Sequence, residues 1–305
     1  MAHSHDHHGH GHGHSHGVRN YNRTFALAVF LNIGFVIVEV VFGVMADSLA
    51  LLADAGHNLS DVLGLVLAWG ASYLAEREAS RWRTYGLRKS TILAALFNAL
   101  ILLAAIGGIT WEAINRLGNP TEVAGMTVAL VAGAGVVINA ATMMLFIADR
   151  KQDLNIRGAF LHMAADAGIS LGVVVTAIII MLTGAQWLDP VISLAIAAAI
   201  FVGTWSLLRD SLDLAMDAVP RGIDPQEIRD YLRELPGIEE AHDLHIWGLS
   251  TTETALTVHL VKPDSRHDDA LIEEVSWVLK ERFRITHVTL QLERSRKLCP
   301  SGVAC

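Results

Sequence analysis

The sequence has little of what a disulfide-bonded, nucleic-acid-binding or ordinary soluble protein needs. Its only two cysteines, Cys299 and Cys305, lie close to the end of the 305 residues, so a disulfide framework is excluded. Charged residues make up 18% of the chain, against about 25% in an average soluble domain. The formal net charge of −8 argues against nucleic acid as a partner. With 52% hydrophobic residues and a mean hydropathy of +0.40, the composition predicts a polytopic membrane protein in a lipid bilayer.

Six segments are apolar enough to cross a bilayer as helices, which takes about 20 residues each. Together they predict a six-helix transmembrane domain over residues 19–210. The segments lie at 24–46, 50–75, 90–115, 122–148, 158–183 and 187–208.

The connections between these segments differ sharply in basic residues. Connections alternate between the two sides of the bilayer. Those on one side (46–49, 116–122 and 184–189) have a single basic residue, Arg116, whereas those on the other side have many. Because basic connections stay in the cytoplasm, we expect a multi-pass protein of the inner (plasma) membrane with both termini cytoplasmic. The basic connections hold Arg19 and Arg23, then Arg77, Arg81, Arg83, Arg88 and Lys89, then Arg150, Lys151 and Arg157, and finally Arg209 and Arg221.

The first segment, residues 1–18, is rich in histidine, with the sequence MAHSHDHHGHGHGHSHG at its start. It has almost no apolar surface to bury, so we expect a disordered cytoplasmic tail rather than a signal peptide. Neutral imidazole binds zinc, copper and nickel, so the segment fits a metal-collecting tail without naming one metal. A cloning tag is the alternative interpretation.

The composition changes near residue 211, where proline and charge become more frequent. Residues 224–235 and 267–284 have helical patterns, whereas 239–249, 252–262 and 286–293 have the patterns of strands. The order α-β-β-α-β predicts a small cytoplasmic α/β domain over 211–294, ferredoxin-like or metallochaperone-like, followed by a tail at 295–305.

Two of the predicted membrane helices carry the same pair of polar residues at the same spacing. The second has His57 and Asp61, and the fifth has His162 and Asp166. Residues four apart are neighbours on one face of a helix. Two such faces turned together offer two nitrogens and two oxygens, which matches tetrahedral zinc. A contact between helices is the ordinary explanation for one such pair, but it gives no reason for the repeat.

This arrangement also suggests how metal movement could be driven. Zinc needs neutral imidazole and ionised carboxylate, so its binding expels protons. An empty site in a low dielectric prefers neutral carboxyl groups. If the site faces one side at a time, competition between metal and protons couples outward metal transport to inward proton movement.

The residues resemble those of the cation diffusion facilitator family, specifically its zinc-exporting bacterial branch. The resemblance rests on SLALLADAGHNLSD (48–61), TYGLRKSTILAALFNA (84–99), HMAADAGIS (162–170), HDLHIW (242–247) and THVTLQLE (286–293). It implies a homodimeric metal/proton exchanger whose transport site maps onto His57, Asp61, His162 and Asp166. It further implies Zn²⁺, often with Cd²⁺, as the transported ion and protons as the counter-ion.

The resemblance also implies additional metal in the cytoplasmic domain, as a structural or regulatory ion near the dimer interface. An ordinary surface role is the alternative for each single histidine. The matching residues are His242, His259, His287 and Glu293, with His245 and His267 as alternates and Cys299 and Cys305 as possible auxiliary ligands.

Further polar residues are expected to have roles outside the ligand set. Asn32 and Glu39 on the first helix are interpreted as packing residues, with a proton or gating role as the alternative. The resemblance implies that Lys89 pairs with an acid near the end of the sixth helix, which is Asp213 or Asp217 here; a solvated charge is the alternative.

Two other functions compete with export. An intramembrane metalloenzyme would need an open zinc position for water, whereas four ligands fill a tetrahedral site and the chain has no HExxH motif, so we expect no enzyme. A membrane metal sensor or sequestering protein, using the cytosolic histidines, is the remaining alternative.

Overall fold

A computed structural model describes residues 18–75, 77–145 and 154–295, which form a helical domain followed by a small sheet domain. The helical domain has six helices in chain order. Their bounds are α1 Val18–Met45, α2 Leu49–Ala75, α3 Ser90–Gly118, α4 Gly125–Leu145, α5 Leu154–Thr183 and α6 Leu188–Ala215.

Four of these helices are long and apolar enough to cross a membrane within their described residues, namely α3, α4, α5 and α6. In α1 the described apolar stretch is Phe30–Met45, and α2 has Asp54, His57 and Asp61 along its length. Many large apolar side chains point outward from the domain, as lipid-facing residues do. The prediction of a helical membrane domain is confirmed, with four clear spans among the six helices.

Close packing of small residues holds the helices together. A Cβ atom added at Gly135 of α4 would lie 2.6 Å from Cζ of Phe35 on α1, and one added at Gly125 would lie 2.7 Å from Cγ of Met181 on α5. Such glycines let helix backbones approach each other, which drives helix association in lipid. The buried core between α2, α4, α5 and α6 includes Leu51 and Val173.

A buried aspartate that the sequence analysis did not single out fixes the start of α2. Asp189, in the first turn of α6, accepts hydrogen bonds from Oγ of Ser48 at 2.6 Å and from the backbone N–H of Leu49 at 2.7 Å. The first N–H groups of a helix have no partner within the helix and carry partial positive charge. Asp189 therefore caps α2 from a neighbouring helix and sets the relative height of α2 and α6.

The sheet domain follows the predicted α-β-β-α-β order. Its elements are α7 Pro225–Arg233, β1 Glu240–Gly248, β2 Thr254–Val261, α8 Asp268–Glu281 and β3 His287–Glu293. The sheet order is β1-β2-β3, with β1 antiparallel and β3 parallel to β2. Parallel strands need a crossover connection, which α8 supplies.

The first helix of this domain starts as its sequence indicates. The side chain of Asp224 accepts a hydrogen bond from the backbone N–H of Gln226 at 2.8 Å, with Pro225 in the first turn. Ile228 and Leu232 then face the sheet and are fully buried with Leu256 of β2.

The two domains meet through polar contacts around the start of α3. Arg88 pairs with Glu253 at 3.1 Å, and Lys89 pairs with Asp217 at 2.7 Å. Below them, the backbone N–H of Thr251 donates to Oγ1 of Thr91 at 3.1 Å. The loop before α3 and the end of α6 therefore both support the sheet domain.

An ion cluster closes the connection from β2 to α8. Lys262, whose side chain is buried, donates to Asp268 at 2.8 Å, and Arg294 donates to the other oxygen of Asp268 at 2.5 Å. Hydrogen bonds from Arg294 and Lys262 hold the pKa of Asp268 below its usual value.

We expect acid to weaken this domain through Asp268. Because the folded-state pKa is lowered, the stabilisation is present above the unfolded pKa of about 3.9 and is lost as the pH falls through the folded value. Asp268→Asn should lower the thermal unfolding temperature of the full-length protein at neutral pH and flatten its decline in acid. Asp269→Asn, in the same turn of α8, is the control. An equal decline of the unfolding temperature in acid for the wild type and Asp268→Asn would contradict a stabilising role of the Asp268 carboxylate.

Candidate metal centre

Three of the four predicted transport ligands converge between α2 and α5. One ligand atom each from His57, Asp61 and Asp166 lies within 4.8 Å of the other two. Nε2 of His57 is 3.1 Å from Oδ1 of Asp166, which is 2% exposed. His162 lies one turn before Asp166 on α5, but its side chain is outside the described residues.

The donor set and its spacing suit a divalent ion. The four-residue spacing puts His57 and Asp61 on one face of α2, and that face turns toward Asp166. The donors of a tetrahedral zinc ion lie about 3.4 Å apart, given bonds of about 2.0–2.2 Å. Atoms already within 4.8 Å of one another need only small side-chain rotations to reach that geometry.

Asp54 is a further buried carboxylate beside this cluster, and the sequence analysis missed it. It lies one turn before His57 and is 0% exposed. Oγ of Ser170, one turn after Asp166, donates to Oδ2 of Asp54 at 2.8 Å. The bond ties α2 to α5 next to the ligands. The available signal was the spacing of Asp54, Asn58 and Asp61, which places three polar residues on one helix face.

Glu39 and Asn32 occupy different positions on α1. Glu39 is fully buried and accepts a hydrogen bond from Nδ2 of Asn58 at 2.8 Å, so it links α1 to the residue that follows His57. Asn32, two turns earlier, is half-buried. The contact of Glu39 fits the packing role, and the gating alternative for both residues stays a prediction.

Lys89 meets Asp217 rather than Asp213. Its Nζ lies 2.7 Å from Oδ1 of Asp217, and both side chains are about half exposed. The nearest basic partner of Asp213 is Arg209, at 4.0 Å.

A second cluster lies in the sheet domain. His242 and His259 are direct partners across β1 and β2, and Glu293 ends β3 beside them. Nε2 of His242 is 3.3 Å from Oε2 of Glu293, and Nδ1 of His259 is 2.9 Å from Oε1. Glu293 is 3% exposed. Nδ1 of His259 is buried, and among the described residues its approach to Glu293 lacks the geometry of a hydrogen bond.

Asp243 extends this second cluster through an irregularity in β1. The pairing of β1 with β2 shifts register between His242 and His245, and Asp243 takes a positive φ of 52° there. Its Oδ2 lies 3.7 Å from Nε2 of His259, and its Oδ1 lies 2.9 Å from Nε2 of His245. A bulge of this kind re-aims a side chain in a way that strand alternation does not predict.

The structure does not bring His287 to this cluster within one chain. His287 begins β3 and Glu293 ends it, so the two share a face of the strand but stand about 20 Å apart. The ring of His287 instead contacts Tyr85, with centroids 5.4 Å apart. Period-two alternation predicts the face of a strand correctly but carries no information on which end of the strand reaches the site.

The remaining candidates lie elsewhere. His245 is exposed and bonds to Asp243, while His267 precedes α8 with a φ of 61°. Cys299 and Cys305 lie outside the described residues.

A helical membrane domain with a buried candidate metal cluster, joined to a small sheet domain with a second candidate cluster, fits a metal-transporting membrane protein. Residues 25–214 match the cation efflux transmembrane domain, and residues 220–295 match the cytoplasmic domain of cation efflux proteins. The chain therefore belongs to the cation diffusion facilitator family, in its zinc/cadmium branch. It is a metal cation efflux transporter and not an enzyme, and its cytoplasmic dimer domain supports a homodimer.

Curated relatives cover most of the chain. The metal cation efflux system protein CzcD of Cupriavidus metallidurans is 38% identical over 272 residues, or 89% of this chain and 86% of that protein. The cadmium, cobalt and zinc/H(+)-K(+) antiporter of Bacillus subtilis is 35% identical and covers 93% of each chain. The zinc transporter ZitB of Escherichia coli is 34% identical and covers 90% and 88%. Among solved structures, the metal-bound C-terminal domain of the CzcD transporter is 37% identical, covering 23% of this chain and 99% of that chain, with a TM-score of 0.22.

Proposed function

We propose that this protein exports Zn²⁺, together with Cd²⁺, from the cytoplasm through a tetrahedral site made by His57, Asp61, His162 and Asp166. The observation that carries the proposal is the convergence of three of these ligands from two helices, at 4.8 Å or less, inside the membrane domain. Charged side chains at this depth are costly unless they serve a pathway or a partner.

The chemistry of the ligands supports this choice of metal. Imidazole suits zinc and other borderline metals, whereas manganese and magnesium prefer sites made of oxygen alone. Two similar proteins are named as antiporters of cadmium, cobalt and zinc, and a third is named as a zinc transporter. The donor set does not separate zinc from cadmium, so both ions are substrates in this proposal.

We infer that protons drive the export. Zinc requires His57 neutral and both aspartates ionised, so metal and protons compete for the same side chains. Metal released on the far side is replaced by protons, which leave on the cytoplasmic side when metal binds again. With its basic connections in the cytoplasm, the protein lies in the inner membrane with both termini inside, and the cycle moves metal outward.

Loss of a single transport ligand should abolish flux. We expect His57→Ala and Asp166→Ala each to lower zinc uptake into inside-out proteoliposomes by about 100-fold or more, since removing even a residue that only supports a ligand costs about 10–100-fold in metal affinity. His267→Ala, an exposed histidine of the sheet domain, is the control and should transport normally.

The same variants separate export from sequestration. Cells that produce His57→Ala should lose zinc tolerance if the protein exports metal. Tolerance that survives this change and Asp166→Ala, but fails with His242→Ala, would support the sensor or sequestering alternative, which the cluster of His242, His259 and Glu293 favours.

Proton coupling predicts that zinc flux depends on the pH gradient. In proteoliposomes with an acidic lumen, addition of a protonophore should reduce zinc accumulation to the level of passive equilibration, and zinc entry should alkalinise the lumen. Undiminished accumulation after the gradient has collapsed would contradict antiport while leaving the metal site intact.

We further propose that His242, His259 and Glu293 hold a regulatory Zn²⁺, with Asp243 placed to complete the set. A bound zinc ion would join β1, β2 and β3 at one end of the sheet and replace the costly contacts of buried, imperfectly paired polar groups. The support is the approach of both rings to Glu293, at 3.3 and 2.9 Å, and the poor hydrogen-bond geometry of the shorter approach.

This cytosolic site is testable by counting bound metal. In the full-length Asp166→Ala protein, which lacks a complete transport site, His242→Ala should release one further zinc per chain in equilibrium dialysis. His267→Ala in the same background should release none. Equal zinc content in all three proteins would refute the cytosolic site without bearing on transport.

A further inference from the structure

We propose that the loop between α2 and α3 binds the headgroups of anionic phospholipids. The feature that carries this inference is the basic loop, defined here as residues 77–89, which holds five basic residues and one acid. Arg88 and Lys89 are already paired with Glu253 and Asp217 at its base. Among the ion pairs of the described residues, none involves the three remaining arginines, which are Arg77, Arg81 and Arg83.

The tip of the basic loop is ordered and points outward. The backbone groups of Ser80 and Arg83 exchange hydrogen bonds of 3.0 and 3.1 Å, which close a tight turn around Arg81 and Trp82. Trp82 is 88% exposed. The guanidinium of Arg81 lies 5.6 Å from the centroid of the Trp82 ring, which is a cation–π contact.

An exposed aromatic face leads from the membrane domain to this tip. Trp69 and Tyr73 are one turn apart near the end of α2 and are 76% and 61% exposed. Arg77, which follows α2, lies 5.7 Å from the centroid of the Tyr73 ring. Tryptophan and tyrosine are favoured where the hydrocarbon of a bilayer meets its headgroups. The aromatic rings therefore place Arg77 and Arg81 at the height of lipid phosphates.

The occupant that fits is a negatively charged lipid rather than a free ion. A free phosphate would satisfy the arginines but leave the indole of Trp82 in water, whereas a lipid offers phosphate and an acyl boundary together. Basic residues near a membrane surface contribute about 1 kcal/mol each toward anionic lipid, which corresponds to about a fivefold change in affinity. The inference rests on the proposed membrane topology but is independent of zinc transport.

The test uses full-length protein, without added metal, in bilayer nanodiscs that contain brominated phosphatidylglycerol or brominated phosphatidylcholine. Brominated lipid should quench a tryptophan component that is lost in Trp82→Phe and retained in Trp277→Phe, an exposed tryptophan of α8. At low salt the wild type should prefer phosphatidylglycerol, and Arg81→Gln should reduce that preference about fivefold. Arg266→Gln, an exposed arginine of the sheet domain, should leave it unchanged. High salt should abolish the preference in the wild type by screening.

Three results would overturn the proposal. The first is equal quenching by both lipids at low salt. The second is loss of the phosphatidylglycerol preference on addition of inorganic phosphate at matched ionic strength, which would make the basic loop a phosphate site. The third is a change of oligomeric mass in Arg81→Gln without a change in lipid preference, which would make the tip a contact between copies of the chain. None of these results depends on metal flux, so transport can fail or succeed separately.

Discussion

Burying ionisable groups between α2 and α5 is the constraint on which the helical domain depends. A carboxylate in hydrocarbon is tolerated only when other groups share its charge. Asp166 has His57 at 3.1 Å, Asp54 has Ser170 at 2.8 Å, and Glu39 has Asn58 at 2.8 Å. These contacts join α1 to α2 and α2 to α5. The polar groups that form the candidate transport site therefore also specify which helices are neighbours.

At the start of α2 and α6, a buried aspartate is again stabilised by polar partners, but there it caps a helix. Asp189 is as deeply buried as Asp54, but its partners are Ser48 and the free N–H groups of α2. It is matched to a helix terminus and has no need of a metal. Two buried aspartates in adjacent helices thus differ in their chemistry because of what faces them, and burial alone does not identify a metal ligand.

The sequence was sufficient for the helical membrane domain and for the order of elements in the sheet domain, because both rest on periodicity. Hydropathy over about 20 residues marks a span, and a four-residue spacing marks a helix face. It was insufficient for Asp54 and Asp189, whose partners lie 116 and 141 residues away along the chain. Strand alternation does not report position along a strand, so it did not show that His287 and Glu293 lie at opposite ends of β3. It also did not indicate Asp243, whose side-chain direction depends on a bulge.

The contrast between buried and exposed charge pairs explains how the two domains can be joined without being locked. Arg88–Glu253 is a half-buried pair and Lys89–Asp217 an exposed one, and pairs accessible to water contribute about 0–1 kcal/mol each. The buried contacts beside His57 have no water to replace a lost partner, so breaking one costs about 1–3 kcal/mol for a neutral group and more for a charged one. A transporter that exposes its site to each side in turn must rearrange some contacts repeatedly. The water-accessible pairs at the base of the α2–α3 loop can exchange partners with water. In the proposed transport cycle, the buried contacts change only when a metal ion or a proton takes the partner's place.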